Sequence, residues 1–344
     1  MWFTSDNAAP AAPEVLAALA RANEGPAMAY GADAEAERAR AMVREVLEAP
    51  EAAVHFVATG TAANALALAT LTPPWGAVFC HEAAHIECDE CGAPEFFTGG
   101  AKLVTVSGAH GRMDGAGLAA ALKGAGGGVH HVQKGALSLT QATEAGTNYS
   151  ATDLAVLAAM GKAEGVPVHL DGTRFANAIV ATGARPAEMS WKAGVDILCL
   201  GFTKNGAIAA EAVVLFDDKL AWEFELRRKR GGHLFSKMRF VAAQVSALLE
   251  DGLWLKLAGH ANAMATALGE GLAAVPGARL LHPVEANLVF ADIPATANAA
   301  ARAKGAAYYE MPGAPEGFVR IRLVASGATR AEEVEGLLAA FRAG

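Results

Sequence analysis

Cysteine is scarce in this chain. The four that occur in 344 residues, Cys80, Cys88, Cys91 and Cys199, are too few and too irregularly spaced to staple a fold of this size. That excludes a disulfide-framed secreted scaffold and fits free thiols in a reducing compartment. Charge is also thin, at 19% Asp, Glu, Lys and Arg, and its balance is acidic, with a net −8. A general nucleic-acid binder needs clustered Lys and Arg against phosphate, so that class is excluded. No stretch of about 18 uninterrupted apolar residues occurs. Met1 to Pro10 lack a basic region followed by an apolar run, so the expectation is a soluble cytoplasmic protein. No internal repeat is present. The glycines between 124 and 128 lack the spacing and the following helix of a dinucleotide fingerprint and read as a loop.

Apolar side chains, by contrast, are plentiful at 53%, enough to offset the ordering entropy that keeps polar chains unfolded. The length suits a large domain with a smaller companion. Short apolar runs alternate with Ala- and Leu-rich stretches through the first two thirds, which predicts an α/β fold with a mainly parallel sheet covered by helices. Candidate strands are residues 54–58, 102–106, 137–140, 167–170, 197–200 and 212–216. A long helix is expected over 232–257, followed by strands at 287–293 and 318–324 in a smaller α+β unit.

Three polar groups close candidate strands, where open α/β sheets place their ligand sites. The first is Thr59-Gly60-Thr61, with a helix over 62–71 directly after it. Glycine lets the backbone approach an anion, and a new helix offers unpaired N–H groups, so the turn suits a phosphate. Taken alone, such a turn is more often ordinary helix capping. The second, Asp171-Gly172-Thr173-Arg174, brings a carboxylate and a guanidinium to one strand tip. Such an aspartate either pairs with a protonated pyridine nitrogen, so that the ring can absorb electrons from a carbanion, or caps the next turn. In the third, Gly201-Phe202-Thr203-Lys204-Asn205-Gly206, a lone lysine follows an apolar run. Partial desolvation would favour the neutral amine that a Schiff base needs, whereas an isolated turn lysine is by default a surface residue. Together and in this order, the three supply the contacts of pyridoxal 5'-phosphate (PLP).

A rival arrangement is His81, His85, Cys88 and Cys91, which have the ligand types of a structural zinc site and would suit a non-catalytic interaction protein. Four ligands must converge for that. The same segment also opens a helix on which His85 alone points into a pocket, and no metal is expected. The basic stretch of residues 227–230 with Lys237 and Arg239 reads either as a solvated face or as an anion contact.

These motifs resemble the L-threonine aldolase family of fold-type-I PLP enzymes, particularly its bacterial low-specificity branch, over nearly the whole chain. The resemblance is carried by Thr4-Ser5-Asp6-Asn7, Tyr30-Gly31-Ala32-Asp33, residues 59–64, Thr98-Gly99-Gly100-Ala101-Lys102, and residues 138–144, 169–178, 200–207 and 227–239. It implies a large PLP-binding domain at 1–250, a small C-terminal domain at 251–344, and a homotetramer whose subunits share active sites. It further implies Lys204 as the internal aldimine, Asp171 on the pyridine nitrogen, Gly60 and Thr61 at the phosphate, and His85 stacked on the ring. Ser5, Arg174 and Arg322 would hold the substrate carboxylate, with Arg174 also flanking the cofactor. Arg320, two residues along the same strand face, is the alternative to Arg322. Lys229, with Lys237 behind it, would reach the phosphate of a neighbouring subunit.

The implied reaction is retro-aldol cleavage of L-threonine, L-allo-threonine or related substrates such as phenylserine to glycine and an aldehyde. His85, His130, His131 or a water would take the β-hydroxyl proton. One departure is Glu144, where other members have a His in a Thr-His-Asn-Gly run. Another fold-type-I lyase acting by β-elimination, or an aminotransferase, is the alternative, since the same lysine and aspartate serve many reactions.

Overall fold

The apolar runs fold into strands much as their alternation with helices predicts. In a computed structural model describing residues 1–344, one sheet contains Ala53–Val57 (β1), Gly76–His81 (β2), Lys102–Val106 (β3), Gln133–Thr140 (β4), Val168–Gly172 (β5), Ile197–Gly201 (β6) and Glu211–Leu215 (β7). Its order is β1-β7-β6-β5-β4-β2-β3. Pairing is parallel from β3 through β6, and β7 runs antiparallel to both of its neighbours, β6 and β1. The C-terminal ends of the other six strands therefore open on one edge. Strands β2, β5, β6 and β7 are buried along their whole length, as strands covered by helices on both faces must be. The helix Gly60–Leu71 is correspondingly apolar all round, with residues 62–70 buried.

A second, antiparallel sheet holds Arg279–Leu280 (β8), Leu288–Pro294 (β9), Tyr309–Met311 (β10) and Phe318–Val324 (β11), ordered β10-β11-β9-β8. Helices Leu253–Ala273, Ala295–Ala303 and Ala331–Arg342 contribute to its own apolar core. Phe3, fully buried, belongs to that core despite lying at the other end of the chain, and its N–H donates to the Ala307 carbonyl at 2.7 Å. Residues 2–6 thus run from the small sheet toward the large one. No helix is long and apolar enough to cross a membrane.

Two expectations need correction. The helix expected over 232–257 is two helices, Arg239–Leu249 and Leu253–Ala273. Asp251 and Gly252 between them have φ of 52° and 68°, a left-handed turn no α-helix continues through. Strands β2, β8 and β10 were not among those expected. The last two have only two and three residues, too few to show a pattern.

Candidate active site

Strand register assembles the site. Thr140 lies opposite Asp171, and Asp171 opposite Cys199, so the ends of β4, β5 and β6 emerge side by side. Gly201 is needed there, because any side chain would run into the backbone of Thr173. Its bareness lets β6 lie against the Asp171–Thr173 turn and delivers Lys204 to the same edge. Thr59 is a true cap, its Oγ1 accepting from the Ala62 N–H at 3.2 Å. Gly60 and Thr61 then open the helix and face a cleft of about 440 Å³, shared with Asn7, His85, Thr173, Lys204 and Glu211.

Charge is concentrated around this cleft. Asp171 is 2% exposed. Its Oδ1 accepts from the Thr173 hydroxyl at 2.7 Å and N–H at 3.0 Å, and its Oδ2 from Asn64 Nδ2 at 2.9 Å. Burial pushes its carboxyl up, but those bonds and the field of His169 hold it below the usual carboxylate range. His169, one turn of the pleat earlier, is pushed down to about 4 by burial. Burial, and then the Arg174 guanidinium, lower the Lys204 ammonium, while Asp6, Glu144 and Asp171 pull it back. The amine that covalent catalysis requires is therefore more accessible than on a surface lysine.

The carboxylate-binding candidates meet around Asp6. Arg174 donates to it through Nε at 2.7 Å and Nη2 at 3.1 Å, and Asn287, just before β9, donates at 3.0 Å. This fork leaves Arg174 Nη1 free. Ser5 Oγ accepts from the Asn7 N–H at 3.1 Å and caps the short turn Asp6–Ala8. Arg322 lies over Tyr309, 5.1 Å from its ring centroid, donates to the Thr4 carbonyl, and keeps a buried Nε without a partner. The fields of Arg174, Asp6 and Glu144 all reach it. Arg320 is instead committed to Asp292, at 2.8 and 3.0 Å, which separates the two arginines that the sequence left as alternatives.

His85 opens a short helix beside the cleft, and its Nδ1 lies 2.8 Å from Glu90 Oε1. That bond raises the imidazole above its ordinary value against the opposing effect of burial. Glu144 is half-buried, and burial raises its carboxyl while Arg174 and Lys204 oppose the rise. Glu211 accepts from the Phe202 N–H at 2.9 Å. Burial pushes its carboxyl up to about 7, with Thr203 and Phe202 opposing.

Other residues do not join. His130 does not join the cleft of its own chain: with His131 it is exposed in the loop before β4, at the end of that strand away from the site edge, and the strand alone spans roughly 23 Å at about 3.3 Å per residue. The zinc arrangement does not form either. Both His81 ring nitrogens are bonded to backbone, His85 is on Glu90, Cys88 faces the Glu82 carbonyl, and no three His, Cys, Asp or Glu side chains group as metal ligands. Lys229 and Lys237 are exposed and outside this cleft. Lys229 Nζ sits 4.8 Å from the Tyr30 ring centroid, and Ser236, beside Lys237, accepts from the Tyr30 N–H. Sequence reasoning missed Asn64 and Asp6 as individual residues, although both lie in motifs it singled out. Glu90, Glu211 and Asn287 carried no signal.

The donor set fits PLP. A helix N-terminus with a bare glycine faces the cleft for a phosphate, a buried aspartate held ionised suits a ring N–H, and a depressed lysine suits a carbonyl carbon. Residues 3–296 match the family described as beta-eliminating lyase. The low specificity L-threonine aldolases of Pseudomonas aeruginosa and a Pseudomonas species are 45% and 44% identical over 312 residues, 90% of this chain and 89% of theirs. The solved threonine aldolase of Leishmania major, 29% identical, superposes with a TM-score of 0.94 over 99% of this chain and 98% of its own. Serine palmitoyltransferase of Sphingomonas wittichii, 16% identical over 100% of this chain and 86% of its own, shares the fold with a TM-score of 0.73.

Proposed function

The chain belongs to the L-threonine aldolase family, and on that premise we propose that it cleaves L-threonine, L-allo-threonine and related L-β-hydroxy-α-amino acids to glycine and an aldehyde, with PLP as cofactor. The observation that carries this reading is the convergence of Lys204, Asp171 and Arg174 at one sheet edge, above a cleft that opens on a helix N-terminus. PLP, when bound, supplies an electron sink for the charge left on Cα as the Cα–Cβ bond breaks. Lys204 Nζ would hold its carbonyl carbon, Asp171 its ring nitrogen, and Gly60 and Thr61 its phosphate, with His85 against the ring.

The protein's own part is to bind and orient. Ser5, Arg174 Nη1 and Arg322 would hold the substrate carboxylate, and fixing it would orient the scissile Cα–Cβ bond for cleavage. His85 takes the β-hydroxyl proton, the Cα–Cβ bond breaks to release the aldehyde, and a proton returned to Cα completes glycine. Residues 1–250 would form the cofactor-binding domain and 251–344 the smaller one; the two separate cores support that division, apart from Phe3 in the small core and Trp254 and Ala258 in the large one. The enzyme would act as a cytoplasmic homotetramer, with Lys229 and Lys237 turned toward a neighbouring subunit's phosphate; their exposure beside Tyr30 suits that role.

The decisive experiment measures aldehyde and glycine release from L-threonine, L-allo-threonine and L-phenylserine by PLP-loaded protein, with Lys204→Ala as control. Release that disappears with Lys204, together with the cofactor's imine absorbance, supports the reading. A keto acid in place of the aldehyde would instead establish elimination or transamination, the first being the chemistry for which the matching family is described.

A further inference from the structure

Glu90 is a carboxylate that the proposed chemistry leaves unexplained. It is 4% exposed, lies within bonding reach of no Lys or Arg, and one of its oxygens, Oε2, is buried without a partner. A buried carboxylate is costly unless a charge or strong donors compensate it. Both of its donors attach to the other oxygen: Asn64 Nδ2 at 2.9 Å and His85 Nδ1 at 2.8 Å. Asn64 spends its second N–H on Asp171 Oδ2, also at 2.9 Å. A single amide therefore joins the residue expected at the ring nitrogen to the residue that holds His85.

Hydrogen-bond directions follow from this geometry. An amide nitrogen only donates, and turning the Asn64 amide over would set its oxygen against two carboxylates. Glu90 Oε1 is thus the acceptor toward Asn64, a role in which a proton-free oxygen is much the better partner, and this favours placing the hydrogen of the His85 contact on Nδ1. Burial raises the Glu90 carboxyl, but a proton taken up there would sit on Oε2 and leave this arrangement intact. With Nδ1 occupied, the imidazole nitrogen left for proton exchange is Nε2.

We propose that Glu90 is a positioning residue that fixes His85 as the Nδ1–H tautomer, so that Nε2 is the atom presented to the substrate hydroxyl, with Asn64 holding the Glu90 carboxylate in register with Asp171. The role is that of the carboxylate in a catalytic triad, which orients an imidazole and stabilises its charged form without receiving the proton. This inference rests on the proposed retro-aldol reading for what Nε2 does, but not for the state of the ring.

The test is nitrogen NMR of the PLP-loaded enzyme labelled in histidine, with the His85 signal identified by its loss in His85→Asn. In the unchanged protein the neutral His85 ring should be Nδ1–H; finding Nε2–H overturns the proposal without any Glu90 variant having to fold. In Glu90→Gln the ring should titrate at lower pH than in the parent, and kcat at neutral pH should fall about 10²-fold, the scale of a lost general base, with little change in KM. A His85 ring that titrates unchanged in Glu90→Gln also overturns it. A ring that changes tautomer and titration while aldehyde release stays the same supports the positioning role and removes His85 as the base, which separates failure of the reaction reading from failure of this one.

Discussion

Replacing Glu211 by Gln should make the protein less sensitive to alkali. The Glu211 carboxyl, buried beneath the cleft, titrates near 7 against an ordinary 4.5. The native state therefore holds this proton more tightly than the unfolded chain does, and stability must fall as pH rises between those values. The contribution is complete below the unfolded pKa and gone once pH passes about 7. At about 1.4 kcal/mol per pH unit the full span is about 3 kcal/mol, of which about 2.5 kcal/mol falls between about pH 5 and pH 8. Glutamine keeps an oxygen for the Phe202 N–H and carries no charge to bury. The difference in unfolding free energy between Glu211→Gln and parent, from urea titrations of the cofactor-free protein at both pH values, should move by that amount in favour of the variant at the higher pH. Equal differences at the two pH values would show that the carboxyl titrates normally.

Asp6→Asn leaves the buried Arg174 guanidinium without its counter-charge. It should cost about 3–5 kcal/mol in urea unfolding and raise KM for threonine through the displaced Arg174 fork. Asp171→Asn should retain PLP, visible by absorbance after dialysis, yet slow aldehyde release, because a neutral amide no longer favours a protonated ring; unchanged kinetics would remove Asp171 from that role. Glu144 raises both Lys204 and His85 through its field. Glu144→Gln should therefore shift the acidic limb of the rate profile and the pH transition of the cofactor absorbance to lower pH, and a shift upward in either would contradict its placement.

The large sheet was legible because its strands are short apolar runs, most of them closed by Gly, Asp or Thr and followed by a helical stretch. Strand β2 escaped because Gly76, Ala77 and His81 dilute its apolar character and Pro73-Pro74-Trp75 precede it. The over-long helix arose because residues on both sides of Glu250-Asp251-Gly252 have the same Ala- and Leu-rich composition, and only the glycine marks the turn. Within the site, Asp171, Arg174 and Lys204 announced themselves as polar residues at strand tips. Asp6, Asn64 and Asn287 act through partners 168, 107 and 281 residues away, and no local pattern records such pairings. That His130 lies away from its own chain's cleft was hidden for a related reason: a histidine next to a strand looks the same in sequence at either end of it.

Phe3 is anchored in the small core while Asp6, three residues later, is clamped by Arg174 from the large sheet and by Asn287 from the edge of the small one. The proposed grip on the substrate carboxylate would consequently be a reporter of how the two halves are docked. On gentle heating or limited cleavage between them, affinity for amino acids should vanish while both halves still give their full helical signal, so that inactivation precedes melting.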